Sequence, residues 1–187
     1  MSSKKKLLII LNDDLSKIAQ KGEVTKRYYN PGNFFNEIHY LLINQKTVPK
    51  NDLKIMSGAA KFYVHKINLK FFHKFLIIFN FFPFFINFYK FYKKIENIKP
   101  DLIRCYNINY SIFLAYIAKK KYNIPYIVSL HCDYKDLISK LFFPKRIVIY
   151  FLIFKIKFVL SNSYKILPVY SSAINILKEM NLNNYKI

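Results

Sequence analysis

Polar side chains that could bind a ligand follow two predicted strands within the segment Pro100–Tyr134. Asn107 comes directly after the first of these strands, and His131 and Asp133 come just after the second. A predicted helix separates the strands, so we expect them to run parallel and to end at the same edge of a sheet. That edge is where open α/β sheets bind ligands. From the residues alone, a structural role is the favoured interpretation of a lone histidine, and a functional role for His131 is the alternative.

A second candidate segment, Lys17–Phe35, is a polar loop that follows the first predicted strand. It contains two of the chain's three glycines, Gly22 and Gly32, and its Asn-Pro-Gly-Asn sequence has the composition of a turn. Asn30 precedes the proline, which biases it away from helical backbone angles. After the first strand of an α/β domain, such a loop is expected at the ligand-binding edge. A solvated loop without function is the alternative.

The remaining elements predict the sheet that positions these two segments. Short apolar runs predict strands, and they alternate with segments of helical spacing, which is typical of a doubly wound parallel sheet. The helix inside Pro100–Tyr134 is expected to be capped by Asn107 or Asn109 and to end at Asn123. We therefore expect one Rossmann-like α/β domain over residues 1–187. The predicted strands are Leu7–Leu11, Glu37–Asn44, Asp52–Met56, Phe62–His65, Asp101–Tyr106, Tyr126–Leu130 and Lys165–Tyr170, and Asn175–Met180 is expected to begin the last helix.

Two segments rich in aromatic and basic residues, Leu69–Ile98 and Phe142–Ser161, predict helices that contact a membrane surface. Within the first, Phe75–Tyr89 holds no charged residue. It is shorter than a membrane-spanning helix, which needs about 20 residues, and it is interrupted by Pro83. We expect a kinked amphipathic helix whose flanking lysines favour an anionic bilayer. An integral membrane protein anchored by Phe71–Tyr92 is the alternative that this segment leaves open.

The charge of the chain is strongly positive, +21 from 31 basic and 10 acidic residues. Such a surface favours polyanions, namely nucleic acid, anionic lipid or phosphorylated substrates. The lysines are scattered between apolar stretches, with neither zinc-finger spacing nor an aromatic RNA-binding signature, so we expect no nucleic-acid partner. Abundant Lys, Asn, Ile, Phe and Tyr with scarce Gly is also the bias of an AT-rich genome, so part of the charge is attributable to drift.

Two cysteines, Cys105 and Cys132, are too few for a disulfide framework or a metal cluster. Each lies at the end of a predicted strand, and we interpret both as buried thiols in a reducing compartment. The N-terminus begins with basic residues, but its apolar run is too short for a signal peptide. We therefore expect a cytoplasmic protein, peripheral to the inner face of the membrane, with no metal and no cofactor.

Four stretches resemble the N-terminal half of glycosyltransferase family 4, whose members have two Rossmann-like domains in the GT-B arrangement. The pattern Pro-Asp-Leu-Ile-Arg, followed one helix later by Ser-Leu-His, is moderately specific for that family. The resemblance implies that this domain holds the acceptor and that a C-terminal domain would hold the nucleotide sugar. The four stretches are Lys21–Asn44, Lys54–His65, Lys99–Asn107 and Ile124–Asp136.

The resemblance also implies which residues contact the substrates. A histidine at the position of His131 faces the reaction centre, so His131 is the expected catalytic residue, in contact with the transferred sugar or the acceptor. Cys132 departs from the glycine usual at its position, and a side chain there narrows the approach of the backbone to a ligand. The residues expected to bind the acceptor are Gly22, Glu23, Arg27, Tyr28, Asn30, Arg104, Asn107 and Asp133.

The sequence ends about where the family's linker to its second domain begins. The resemblance therefore implies the acceptor-binding half of a retaining glycosyltransferase, which is truncated, dependent on a partner chain, or a degenerate remnant. A nucleotide sugar would bind only together with the C-terminal domain, and the acceptor would be a glycan or a lipid-linked molecule. The alternative is a function of another class, a non-catalytic protein that binds an anionic membrane surface through its basic, aromatic helices.

Overall fold

The first strand, β1 (Lys6–Leu11), forms because its continuous apolar run can be buried on both faces of a sheet. The computed structural model of the chain describes residues 4–12, 15, 24–45, 48–68, 86–131, 155–183 and 185. In it, Leu7–Leu11 are each at most 2% exposed. The predicted strand Leu7–Leu11 is therefore confirmed and is extended by one residue at its start.

Five further strands complete the sheet. They are β2 (Glu37–Ile43), β3 (Lys61–Ile67), β4 (Leu102–Tyr106), β5 (Tyr126–Leu130) and β6 (Lys165–Pro168). The strand order is β3-β2-β1-β4-β5-β6, which is the order of the Rossmann fold. β2 pairs in parallel with β1 and with β3, and β5 pairs in parallel with β6. This sheet confirms the predicted doubly wound α/β fold.

Asp101, the aspartate of the Pro-Asp-Leu-Ile-Arg pattern, has a structural role just before β4. The backbone N–H of Lys6 donates to Asp101 Oδ2 at 2.7 Å, and the backbone N–H of Asp101 donates to the carbonyl oxygen of Lys6 at 3.0 Å. The two hydrogen bonds tie the residue before β4 to the first residue of β1. They fix where both strands begin at the amino-terminal edge of the sheet.

Helices connect several of the strands. They are α1 (Lys50–Ser57), α2 (Ile86–Ile98), α3 (Tyr110–Tyr122) and α4 (Ser171–Glu179), and residues 155–161 are also helical. The last helix therefore begins four residues before the predicted Asn175. A short 3-10 turn, Pro31–Asn33, precedes β2.

The predicted strand Asp52–Met56 is wrong, because this segment lies within α1. Leu53 and Met56 are buried three residues apart, which is the spacing of one helix face. The helix ends where Gly58 adopts a φ of 65°, in the left-handed region that glycine enters without steric cost. The short apolar pattern of this segment also fits a strand, and only its length and its glycine terminator distinguish the two structures.

Helix α3 has the caps that the sequence predicts. Asn109 is the N-cap, and its side-chain Oδ1 accepts a hydrogen bond from the backbone N–H of Ser111 at 2.8 Å. Asn123 occupies the left-handed C-terminal position with a φ of 56°. Three lysines in the last turn lie where the helix dipole favours positive charge. The helix is therefore specified by local signals at both of its ends.

The aromatic and basic segments are only partly within the described residues. Of Leu69–Ile98 the structure describes residues 86–98, which form α2, and of Phe142–Ser161 it describes residues 155–161. Most of Phe75–Tyr89 lies outside the described residues. Among the residues that the structure describes, no helix is long and apolar enough to cross a membrane. Contact of these segments with a membrane surface stays a prediction.

The chain divides into two compact units. Unit 1 contains β1, β2, β3, α1 and α2, together with the first residues of β4. Unit 2 contains the rest of β4, from Arg104, and α3, β5, β6 and α4. The candidate histidine His131 belongs to unit 2, and the polar loop before β2 belongs to unit 1.

The N-cap of α3 provides a test of the fold. We expect Asn109→Ala to lower the free energy of unfolding by about 1 kcal/mol, because the backbone N–H of Ser111 loses its acceptor. Asn109→Ser retains a capping oxygen and is expected to stay close to the wild type. Urea denaturation followed by circular dichroism measures both variants. Equal losses in the two variants would show that the side chain of Asn109 does not act as a cap.

Candidate functional site

Asn107 joins the carboxyl ends of β4 and β5. It directly follows β4 with a φ of 59°, in the left-handed region that asparagine tolerates better than most residues. Its backbone N–H donates to the carbonyl oxygen of Ser129 at 2.8 Å. Its side-chain Oδ1 accepts a hydrogen bond from the backbone N–H of His131, also at 2.8 Å. One asparagine thus holds the positions before and after Leu130 and fixes where β5 ends.

His131 is therefore positioned by its backbone at the carboxyl-terminal edge of β5. Its side chain is half-buried, and its ring lies 5.5 Å from the ring of Tyr106, tilted by 42°. The structure brings Asn107 and His131 together, as the sequence predicts. An imidazole at such an edge can donate and accept hydrogen bonds and can transfer a proton near neutral pH. Asp133 and Cys132, predicted beside it, lie outside the described residues.

Arg104 supports this edge of unit 2 from within β4. Its Nε donates to the hydroxyl oxygen of Ser129 at 3.1 Å, and its guanidinium carbon lies 5.1 Å from the centre of the Tyr106 ring. Ser129 and Tyr106 are the same two residues that border Asn107 and His131. The structure thus gives Arg104 a positioning role through Ser129 and Tyr106, and its predicted contact with an acceptor stays a prediction.

Cys105 lies next to Arg104 and is fully buried. Burial raises the pKa of its thiol, which keeps the sulfur protonated and unreactive at neutral pH. The predicted burial of the thiol is confirmed for Cys105. Among the described residues, no group of three His, Cys, Asp or Glu side chains could hold a metal ion.

The described part of the polar loop, residues 24–35, lies at the amino-terminal edge of unit 1, so the predicted place of this part at the ligand-binding edge is wrong. The backbone N–H of Arg27 donates to the carbonyl oxygen of Ile55, near the end of α1, at 3.0 Å. Asn36, at the end of the loop, exchanges hydrogen bonds with Lys5, immediately before β1. The physical reason is the parallel pairing of β1 with β2, because the chain must return to the amino-terminal edge before β2 can begin.

Asn30 serves the structure of this loop. It is 0% exposed. Its Nδ2 donates to the carbonyl oxygens of Phe35, at 3.0 Å, and Ser57, at 3.3 Å, and its Oδ1 accepts from the backbone N–H of Phe35 at 2.9 Å. These hydrogen bonds give the buried side chain of Asn30 a structural role in the loop. Its predicted contact with an acceptor stays a prediction.

The other loop residues predicted to bind an acceptor divide into two groups. Arg27 is exposed, with a φ of 60°, and Tyr28 is half-buried with its ring 4.9 Å from the ring of Tyr29. Both precede β2 at the amino-terminal edge. Gly22 and Glu23 lie outside the described residues. Contact of Arg27, Tyr28, Gly22 and Glu23 with an acceptor stays a prediction.

Sequence inspection missed a pair of histidines on the face of β2 and β3 in unit 1. Nδ1 of His39 and Nε2 of His65 are 3.0 Å apart, and the rings stack with an angle of 7° between them. Glu37 Oε2 lies 3.6 Å from His39 Nε2, and the ring of Tyr63 stacks on the His39 ring with the ring centres 4.8 Å apart. His39 and His65 lie at alternating positions of their strands, and this alternation is visible in the sequence. Their contact also depends on the register between β2 and β3, which pairs His39 with Tyr63 and is not visible in the sequence.

Comparisons with known proteins were made with the whole chain. No family model matches it, and no curated protein matches it. Among solved structures, the crystal structure of TcCGT1 in complex with UDP is similar, with a TM-score of 0.48 and 11% sequence identity. The similarity covers 97% of this chain and 49% of that one, so this chain spans about half the length of TcCGT1. The fold of this chain is assigned from its own strand order, independently of that similarity.

The buried amide of Asn30 gives a prediction about stability. We expect Asn30→Ala to lower the free energy of unfolding by about 1–3 kcal/mol, because it leaves buried backbone groups of Phe35 and Ser57 without their partners. The exposed Asn183→Ala is the matched control and is expected to change stability by less than about 0.5 kcal/mol. Urea unfolding of the two variants measures the difference. A stable Asn30→Ala variant would contradict the structural role of this residue.

The histidine pair gives a prediction about pH. Burial, followed by the charge of Lys94 and the neighbouring His39, lowers the pKa of His65 to about 4. Burial also lowers the pKa of His39, against the opposing effect of Glu37. Between the folded and unfolded pKa values of His65 the unfolded chain binds more protons, so stability falls as the pH falls from about 6.5 towards 4.

The measurement is the free energy of unfolding at pH 7 and at pH 5. We expect the wild type to lose about 1 kcal/mol more than His65→Gln over this interval, after allowance for the partial exposure of His65. The charged groups that face the pair are Lys6, Glu37 and Lys94, and the variant leaves all three in place. An equal loss in both proteins would show that His65 keeps an ordinary pKa.

Proposed function

We propose that the chain is the acceptor-binding half of a retaining GT-B glycosyltransferase that uses a nucleotide-sugar donor. The observation that carries the proposal is the hydrogen bond from the backbone N–H of His131 to Asn107 Oδ1. It presents an imidazole at the carboxyl-terminal edge of a Rossmann-like sheet, where such sheets bind their ligands. The sequence resemblance to glycosyltransferase family 4 supports the same assignment and matches its histidine to His131.

In this proposal the carboxyl-terminal edge of unit 2, at Asn107 and His131, holds a substrate in position. His131 would hydrogen-bond a hydroxyl group of the acceptor or of the transferred sugar, and Asn107 would keep the histidine in place. Glycosyl transfer of this kind depends on the orientation of the two substrates and on electrostatic support of the leaving diphosphate. The support of the diphosphate would come from a donor-binding domain, supplied by a longer polypeptide or by a partner chain.

The proposal predicts where activity resides. The purified chain, incubated with nucleotide sugars and with glycan or lipid-linked acceptors, is expected to show no transfer. Addition of a donor-binding domain, encoded downstream or by a neighbouring gene, is expected to restore transfer. His131→Ala is then expected to lower kcat by about 100-fold or more, because it removes a group that contacts the reacting molecules. Product formation is measured by mass spectrometry.

Two further variants separate positioning from stability. Asn107→Gly keeps the left-handed backbone but removes the acceptor of the His131 N–H, so it is expected to lower kcat. Asn109→Ala lowers stability through α3 without touching His131, so it is expected to keep kcat at a temperature where it is folded. Efficient transfer by the chain alone would refute the dependence on a donor domain. Full activity of His131→Ala would refute the role of the histidine.

A further inference from the structure

Unit 1 contains a basic cavity that the proposed glycosyl transfer does not use. The cavity has a volume of about 340 Å³ and is lined by the carboxyl end of β3 and by α2. Its polar lining consists of Lys66, Asn68, Lys90, Lys93, Lys94 and Asn97. None of the described residues that line it is acidic. A volume of this size suits a small ligand rather than a single ion.

The lysines of α2 share one face of the helix. Lys90, Lys93, Lys94 and Asn97 lie at positions separated by three and four residues, which brings their side chains together. Like charges at this spacing destabilise a helix by a few tenths of a kcal/mol per pair. Within the described part of the chain, no ion pair joins Lys90, Lys93 or Lys94 to a carboxylate. An anion in the cavity would relieve this repulsion.

Basic residues form a larger fraction of the lining of this cavity than of the whole chain. Four of its seven lining residues are lysine, whereas 31 of the 187 residues in the chain are Lys or Arg. A second cavity in unit 1, of about 280 Å³, shows the contrast. It is lined by Lys4 and Lys61 but also by Glu37, so its lining carries both signs of charge. The excess of basic residues in the chain therefore does not by itself explain a cavity whose charged lining residues are all lysines.

We propose that the cavity formed by β3 and α2 binds a phosphate-type anion, either a phosphate monoester or a diphosphate. Lysine ammonium groups bind phosphate oxygens as point charges, and the amides of Asn68 and Asn97 can donate further hydrogen bonds. A multiply charged anion fits three or four converging ammonium groups better than a monovalent one. The proposal concerns unit 1 alone and does not depend on the glycosyl transfer proposed above.

The histidine pair next to the cavity provides a local reporter. The charge of Lys94 acts on His65 and contributes to lowering its pKa, after burial. An anion bound at Lys94 would offset that charge and would raise the pKa of His65. Diffuse attraction of anions to the basic surface would leave this pKa nearly unchanged, since salt screens distant charges.

The experiment measures binding of inorganic pyrophosphate by isothermal titration calorimetry at about 0.15 M ionic strength, where the Debye length is about 8 Å and distant charges are screened. Lys90→Gln/Lys94→Gln is expected to weaken binding by about tenfold or more, because it removes two ammonium groups from the cavity. The matched control is Lys50→Gln/Lys54→Gln, which removes the same charge at the same spacing from the exposed face of α1. That variant is expected to change affinity less than about twofold.

Nuclear magnetic resonance of the histidine protons supplies the second measurement. Pyrophosphate is expected to raise the pKa of His65 in the wild type and in the control, but not in Lys90→Gln/Lys94→Gln. Circular dichroism checks that all three proteins are folded. Equal weakening in the two variants, or no change in the His65 titration at saturating pyrophosphate, would overturn the proposal. Absence of pyrophosphate binding to the wild type would also overturn it.

Binding to lipid vesicles distinguishes two sources of such an anion, a lipid headgroup and a soluble phosphate compound. Phosphatidylcholine vesicles containing phosphatidic acid present a phosphate monoester at a surface, and co-sedimentation measures binding to them. If pyrophosphate displaces the wild type from these vesicles, the cavity accepts a lipid headgroup. If pyrophosphate binds at the cavity but the vesicles do not, the ligand is a soluble phosphate compound. Both results support the phosphate site, provided that Lys90→Gln/Lys94→Gln abolishes the binding.

Discussion

The parallel direction of the strands is the constraint on which the rest of this structure depends. Parallel strands all begin at one edge of the sheet and all end at the other, so each connection must carry the chain back before the next strand starts. Because β1 pairs in parallel with β2, and β2 with β3, the chain of unit 1 must return to the amino-terminal edge before β2 and again before β3. Loops at the carboxyl ends of the strands can therefore carry a ligand site. The described loop before β2 lies at the opposite edge, where it hydrogen-bonds to the residue before β1 and to the end of α1.

Arg27 and Asn107 show the two cases. The loop that contains Arg27 leads into β2 and hydrogen-bonds to the end of α1 and to the start of the sheet. Asn107 follows β4 and fixes His131 after β5. Both residues adopt positive φ, and both lie in loops with the composition of turns. The two loops differ in the edge of the sheet at which they lie. The order and direction of the strands decide this edge, and the composition of a loop does not reveal it.

The sequence predicts those parts of the fold that local signals determine. The strands β1, β2 and β5 are correct because each is a short apolar run, and the caps of α3 are correct because Asn109 and Asn123 act within a few residues. The strand predicted over Asp52–Met56 is wrong because a short amphipathic segment fits either period. The placement of the described loop before β2 at the ligand-binding edge is wrong because the parallel pairing of β1 with β2, which the composition of the loop does not show, brings the chain back to the amino-terminal edge first.

The candidate sites show the same limit. Asn107 and His131 could be predicted, because both directly follow strands that the sequence defines. The stacking of His39 on His65 could not, because it depends on the register between two strands. The basic cavity could be predicted only in part. The spacing of Lys90, Lys93 and Lys94 is visible in the sequence, but the position of β3 beside them is not.

Asparagines occupy several turn positions of the chain and add side-chain hydrogen bonds there, including one at the candidate site. The chain has three glycines, yet several backbone positions require the left-handed region. Asn33, Asn44, Asn107, Asn123 and Asn181 occupy such positions with φ between 52° and 59°. Asparagine tolerates this region and, unlike glycine, brings a side-chain oxygen and nitrogen to it. At Asn107 that oxygen is the acceptor of the His131 N–H, and at Asn33 it accepts the N–H of Ala59 at 3.1 Å. A bias that replaces glycine by asparagine can therefore add hydrogen bonds at turns, and the edge at His131 depends on one of them.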